Sequence, residues 1–316
     1  MRPPTMDDLG IAHELMLAHD LAFFGEEDAT LEDLRMYWTA PTHNLARDQR
    51  LVFAQDGQLI ANLYTEQKQH AKFFVDVLVR PGYSDPRVGD YLFELGEAWA
   101  REQMAQAEPG VRVTLNTWAP SNNQDSLERY ARMGLTEVRR YWHMQIEMSE
   151  APAAPVWPEG VALRPFVPER DDRAVFEMID AAFNDHWGHI PGDFDAWRHR
   201  KIEVESFDPS LWFIAYEGEQ IAGGSLCSDS AQSWVDTLGI LRPWRRKGLG
   251  LALLLHSFGE FYRRGRRVVV LGVDSQNLTG AVRLYQRAGM HIARENISFE
   301  KELRAGVELS TQALAV

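Results

Sequence analysis

The chain has 316 residues, 45% of them hydrophobic and 25% charged, which suits a globular protein of two ordinary domains, each with its own core. Its 33 Lys+Arg against 46 Asp+Glu give a formal charge of −13, a field that repels nucleic-acid phosphates and anionic lipid and excludes both as expected partners. A single cysteine, Cys227, excludes an intramolecular disulfide, and the opening MRPPTMDDLG lacks an apolar signal-type run, so a cytoplasmic protein is expected.

Helical periodicity covers Leu9 to Phe24 and Thr30 to Trp38. Leu51 to Ala54 and Leu59 to Tyr64 flank Asp56-Gly57, a hairpin signal. A strand from Phe73 to Val79 ends at Arg80-Pro81 and is followed by a helix from about Val88 to Met104. A strand from Val111 to Trp118, a short helix to about Met133 and a last strand near Val138 to Met148 complete this half. Ser149 to Gly160, rich in Pro and Ala, reads as a linker.

After the linker the same order begins again. Val161 to Pro165 is a strand, Arg170 to Phe183 and Phe194 to Lys201 are helices, and Leu211 to Tyr216 and Gln220 to Leu226 flank the turn Glu217-Gly218-Glu219. Cys227 reads as a small buried strand residue. Then come a strand from Val235 to Leu241, the run LRPWRRKGLG, and a helix with Leu251, Leu254, Leu255, Phe258 and Phe261 on one face. A strand from Val268 to Val273, a helix from about Leu278 to Ala288 and a strand through Phe299 to Leu303 follow, with 304–316 as a frayed tail. DGQLIA matches EGEQIA, VRPGY matches LRPWR, and NNQDSLERYARMG matches NLTGAVRLYQRAG, in one element order. The chain is an internal repeat.

The run Leu241 to Gly250 carries the chemistry. Strand, Pro243, cations and glycines lead into a helix, so unpaired backbone N–H groups at the helix start face outward, where the dipole favours an anion. Neither a Walker loop nor G-x-G-x-x-G is present. Arg245-x-x-Gly248-x-Gly250 after a strand resembles the pyrophosphate loop of the GNAT acetyltransferases, and the element order around it is the order of that family. A tandem of this kind is similar to mycothiol synthase. The resemblance implies an α/β fold of two tandem GNAT-like domains, each a mixed, mostly antiparallel twisted sheet with helices on both faces.

Further expectations follow from the resemblance. Acetyl-CoA would be the cosubstrate, with no metal. Two neighbouring parallel strands would splay apart, and the pantetheine arm would pair with the exposed edge of Leu238, Gly239 and Ile240, where Gly239 suits a bulge or a close backbone approach. Arg245, Arg246, Lys247, Gly248 and Gly250 would cradle the pyrophosphate. Asn277 would bond the pantetheine or order its loop, or else cap a helix. Tyr285 matches the family's tyrosine that protonates the departing thiolate. Where several members carry a glutamate base, this chain has Trp234; Asp236, two residues on and on the same face by alternation, is the nearest carboxylate, and the loop Asp185-His186-Trp187-Gly188 is a further candidate.

In the first half the corresponding run is VRPGYSDPRVGDYL. Arg87 stands where Gly248 does, and Asp85 and Asp90 compete with a pyrophosphate for the same N–H groups. Asn122 and Tyr130 persist there as structural residues. The expected organisation is therefore a degenerate domain over 1–148 that is structural or walls the acceptor site, a linker over 149–160 and a catalytic domain over 161–303. The expected activity is acetyl transfer from acetyl-CoA to a primary amine of a small molecule, by a monomer with an internal pseudo-dimer or by a homodimer. The alternative is a non-catalytic acyl-CoA-binding module.

Overall fold

The structure, a computed structural model, describes residues 1–41, 43–277 and 279–311. It divides into two compact units: Met1–Tyr141 with Glu295–Leu309, and Trp142–Arg294 with Ser310–Val316.

Unit 1 begins with α1 (Leu9–Phe24), α2 (Leu31–Trp38) and the short α3 (Leu45–Asp48). The start of α2 follows from Thr30, whose hydroxyl takes the Asp33 N–H while the Asp33 carboxylate takes the Thr30 N–H. Strands β1 (Gln49–Phe53), β2 (Leu59–Lys68) and β3 (Lys72–Val79) form an antiparallel meander. Then come α4 (Pro86–Gln103), β4 (Val113–Pro120), parallel to β3, and α5 (Gln124–Arg132). Helices α1 and α2 lie with Leu51, Leu59 and Leu78 on one sheet face, and Leu92 and Phe93 of α4 join Val75 and Val77 in a second core.

Unit 2 repeats this order. It holds β6 (Val161–Pro165), α6 (Asp172–Phe183), α7 (Phe194–Lys201), β7 (Trp212–Glu217), β8 (Gln220–Asp229), β9 (Ser233–Ile240), α8 (Leu249–Arg263), β10 (Val268–Asp274) and α9 (Ala281–Arg287). Strands β6 to β9 pair antiparallel in sequence, and β9 pairs parallel with β10. The expected mixed, mostly antiparallel sheets with helices on both faces are present in both units. Cys227 is a core residue; burial pushes its thiol up to about 12, so it carries no thiolate.

The units are not two consecutive stretches, so the expected cut at 149–160 does not separate them. The strand β5 (Thr136–Glu147) leaves unit 1 at Tyr141 and stands beside β10 in unit 2, where Met144 and Met148 enter the core with Leu253 and Phe258. The strand β11 (His291–Arg304) pairs antiparallel with β4, from Asn296↔Pro120 to Arg304↔Val113. Its Ile297 and Phe299 complete the core of unit 1, each apolar side chain stabilising by about 2 kcal/mol when fully buried. Arg112, just before β4, fixes the register by ion pairs to Glu300, Glu302 and Glu308 at 2.6, 2.8 and 2.8 Å. Each sheet thus closes with the other half's last strand.

The tail from Arg304 is not frayed over its described residues. Val307 bridges to Val111 in unit 1. In unit 2, Thr311 accepts from the Gly188 N–H at 2.7 Å and donates to His189 and Asn184 carbonyls at 3.0 and 3.1 Å. Residues 312–316 of that expectation lie outside the described residues. Among the described residues no helix is long and apolar enough to cross a membrane.

Candidate active site

In unit 2 the strands β9 and β10 pair only at Ser233↔Val269 and Trp234↔Val270, and then part. The separation coincides with an irregularity in β9. Val235 pairs with Cys227 and Thr237 with Leu226 across β8, which leaves Asp236 as an extra residue, a bulge. Beyond it Leu238, Gly239 and Ile240 remain bonded to Ser225, Gly224 and Gly223, while their other edge has lost its neighbouring strand. Gly239 is therefore not the bulge. It is a close approach, because a Cβ there would lie 3.2 Å from Ala182 Cβ on α6.

After β9 the chain makes a 3-10 turn, Arg242–Trp244, and enters α8 through Arg246 at φ 64° and Gly248 at φ 88°. Two left-handed residues around Lys247 turn successive N–H groups toward one side. Gly248 is the N-cap and offers no side chain to the first turn, and among the described residues none accepts from the N–H groups of Arg246 to Leu251. Arg246, Lys247 and Gly248 are exposed. Gly250 is small for a different reason: a Cβ would lie 3.0 Å from Leu284 of α9.

Arg245 does not face outward with its neighbours. Its guanidinium donates to the carbonyls of Ile240 and Ala182, each at 2.9 Å, and to Asp185 at 2.6 Å. It pins the end of β9 to the end of α6 and has little capacity left for a phosphate. Hydrogen bonds from Arg242 and Arg245 hold the Asp185 carboxyl down at about 2, so Asp185 is an anchor and a poor proton acceptor. His186 is tilted against Phe183 with ring centres 4.2 Å apart, and burial lowers its pKa. Of the two bases considered in that loop, Asp185 is thus an anchor, while His186 is a neutral ring packed on Phe183.

Tyr285 lies in α9, 8% exposed. Burial alone pushes its phenol up to about 12, and among the described residues nothing hydrogen-bonds its hydroxyl. Asn277 caps a turn and not the helix: its Oδ1 accepts from Thr279 N and Oγ1 at 2.8 and 2.5 Å, and Gly280 is the N-cap of α9. Leu278, the expected start of that helix, lies outside the described residues. Asp236 forms an ion pair with Lys201 of α7 at 3.1 Å. Trp234 stands edge-on to His143 of β5 at 5.2 Å, and His143 Nδ1 accepts from Arg294 Nε at 2.9 Å. Since Arg only donates, the imidazole is neutral with its proton on Nε2, and burial lowers its pKa to about 4. Sequence reading missed His143 because its strand belongs to the other half of the repeat.

Unit 1 has the same opening, with β3 and β4 paired only over Lys72↔Thr114, Phe73↔Leu115 and Phe74↔Asn116. Its helix start is filled. Asp85 is the N-cap of α4, accepting from the Arg87 N–H at 3.0 Å and from the Arg87 side chain at 2.7 Å. Asp90 pairs with Arg129 and Arg132 at 3.2 and 3.0 Å. Tyr130, the counterpart of Tyr285, has its hydroxyl 3.2 Å from Thr117 Oγ1 and 3.4 Å from the Trp118 carbonyl. Asn122 donates to the Phe23 carbonyl at 2.9 Å, a local brace. Among the described residues no group of three or more His, Cys, Asp and Glu is placed to hold a metal ion.

Residues 173–290 match the sequence pattern of the Acetyltransferase (GNAT) family. A mycothiol acetyltransferase of Actinosynnema mirum is 32% identical over 228 residues, 71% of this chain and 73% of that protein. A second, from Thermobispora bispora, is 32% identical over 57% of this chain and 62% of its own length. Among solved structures, a GCN5-related N-acetyltransferase from Sphaerobacter thermophilus is 35% identical, covers 98% of both chains and superposes with a TM-score of 0.83. A tandem GNAT protein from the clavulanic acid pathway, 15% identical with a TM-score of 0.72, shares the fold.

Proposed function

The chain belongs to the GNAT acetyltransferase family and is an acetyl-CoA-dependent acetyltransferase, and on that premise we propose that unit 2 alone transfers the acetyl group, to a primary amine of a small molecule. The observation that carries the assignment to one unit is the contrast between the two helix starts. In unit 2 the N–H groups after Arg246 are bare among the described residues and flanked by exposed cations; in unit 1 the Asp85 carboxylate accepts the Arg87 N–H. The relatives named for mycothiol make its deacetylated form the first acceptor to test.

Acetyl-CoA supplies an activated acetyl thioester. The N–H groups of the α8 start, with Arg246 and Lys247, fit its pyrophosphate, and the open edge of Leu238 to Ile240 fits an amide-bearing arm laid along it as an added strand. Asn277 orders the loop beside it. Within this ternary arrangement the amine nitrogen attacks the thioester carbon and the C–S bond breaks. Asp236, at the bulge where the strands part, takes the proton lost by nitrogen, and Tyr285 delivers one to sulfur. Asp236 must first leave Lys201, its ion-pair partner at 3.1 Å.

Calorimetric titration with acetyl-CoA tests the assignment to unit 2. The expected stoichiometry is one per chain, and two would overturn it. Asp236→Asn tests the base: the pH–rate profile for the amine loses its acidic limb, and a retained limb removes Asp236 from that role.

A further inference from the structure

The tail turns back onto unit 2 through Thr311. Thr311 accepts from the Gly188 N–H at 2.7 Å, donates its own N–H to the His189 carbonyl at 3.0 Å and donates its hydroxyl to the Asn184 carbonyl at 3.1 Å. All of these bonds land on the loop that follows α6. The start of that loop is held a second time, because the Asp185 carboxylate accepts from Arg245 at 2.6 Å and pairs with Arg242. His186 lies between the fixed points.

What His186 covers follows from its neighbours. The end of α6 rests on β9: a Cβ on Gly239 would lie 3.2 Å from Ala182 Cβ and 3.5 Å from the Phe183 ring. Gly239 is the middle residue of the open edge, and His186 is tilted against Phe183 with ring centres 4.2 Å apart. Across the opening Asp274 ends β10, and it acts electrostatically on His186 from that side, as Arg245 does from the end of β9. The imidazole therefore stands over the gap where the two strands have parted. Burial lowers its pKa, and a neutral ring offers one donor and one acceptor, the two groups that an amide needs.

We propose that His186 forms a roof over the pantetheine arm of acetyl-CoA in unit 2, and that Thr311 is the positioning residue that holds this roof in place before the cosubstrate arrives. The inference rests on acetyl-CoA lying along the open edge of Leu238 to Ile240. A loop that is already ordered costs the ligand less to engage, and loosening it lowers affinity by the fraction of time that the loop is out of place.

Hydrogen exchange and calorimetry on the full chain test this with two probes, acetyl-CoA and 3′-phospho-ADP, which keeps the pyrophosphate and lacks the arm. Acetyl-CoA is expected to slow amide exchange across the loop at least about tenfold, and 3′-phospho-ADP to leave it unchanged. Thr311→Pro removes both bonds that Thr311 donates. It should speed exchange of the loop at least about tenfold in the free protein and weaken acetyl-CoA at least about fivefold, with 3′-phospho-ADP held within about twofold. His186→Ala should weaken acetyl-CoA alone and leave loop exchange in the free protein as in wild type. Acetyl-CoA that binds one per chain without slowing the loop overturns the roof. Thr311→Pro with a faster loop and undiminished acetyl-CoA affinity overturns the positioning role, and so does equal weakening of both probes, which would assign the effect to the cradle. Wild type that binds neither probe overturns the placement of acetyl-CoA in unit 2, and this inference with it.

Discussion

Gly248→Asp is expected to weaken acetyl-CoA at least about a hundredfold while leaving the fold of unit 2 in place. Its carboxylate would stand at the start of α8 beside the N–H groups that the pyrophosphate needs, as Asp85, which accepts the Arg87 N–H, stands at the start of α4 in unit 1. Left-handed backbone at φ 88° costs an L residue about 1–2 kcal/mol, which a folded domain of this size can bear. The ligand loses twice. It forfeits charge-assisted bonds to backbone N–H, and it meets a like charge worth up to about 4 kcal/mol at close range before solvent screening. Even half of that repulsion, added to one lost bond, exceeds the ~2.7 kcal/mol of a hundredfold change. Calorimetry of the variant against wild type reads the result directly, with thermal unfolding as the check on folding. Undiminished affinity would mean that the pyrophosphate does not sit on the α8 start.

What was legible in the sequence is what short-range chemistry determines. The hairpin turns at Gly57 and Gly218, the helix at Phe194–Lys201 and the bare helix start at Gly248 each follow from a handful of adjacent residues. The pieces that were not legible depend on which partner a segment meets. β5 and β11 close their halves of the repeat in the same way, so nothing local says that Ile297 and Phe299 belong in the core of unit 1 and Met144 in that of unit 2. The bulge at Asp236 is a mismatch between β8 and β9 and leaves no mark on β9 alone. Arg245 and Arg246 are adjacent and chemically identical. One turns inward because Asp185, sixty positions earlier, waits with two carbonyls; the other faces solvent.

Tyr285→Phe is expected to lower kcat on the best amine by about a hundredfold or more and to leave the KM for acetyl-CoA within about twofold. With the phenol held up at about 12, the hydroxyl stays protonated across any working pH and is always available to donate. Full transfer to a solvated thiolate, whose acid lies near 8.5, would run uphill by roughly 5 kcal/mol. The burial that raises Tyr285 acts on a thiolate in the same cleft in the same direction and narrows that gap. The phenol therefore contributes mainly as the bond to sulfur shortens and charge develops, which is a transition-state effect and appears in kcat. It follows that wild type and variant share their acidic limb and that no alkaline limb below about pH 11 belongs to this group. Tyr130→Phe is the matched control. Its hydroxyl is engaged by Thr117 and Trp118, so its loss costs about 1 kcal/mol of stability and leaves kcat unchanged. Equal turnover in Tyr285→Phe and wild type would assign the sulfur's proton to solvent and reduce Tyr285 to a second Tyr130.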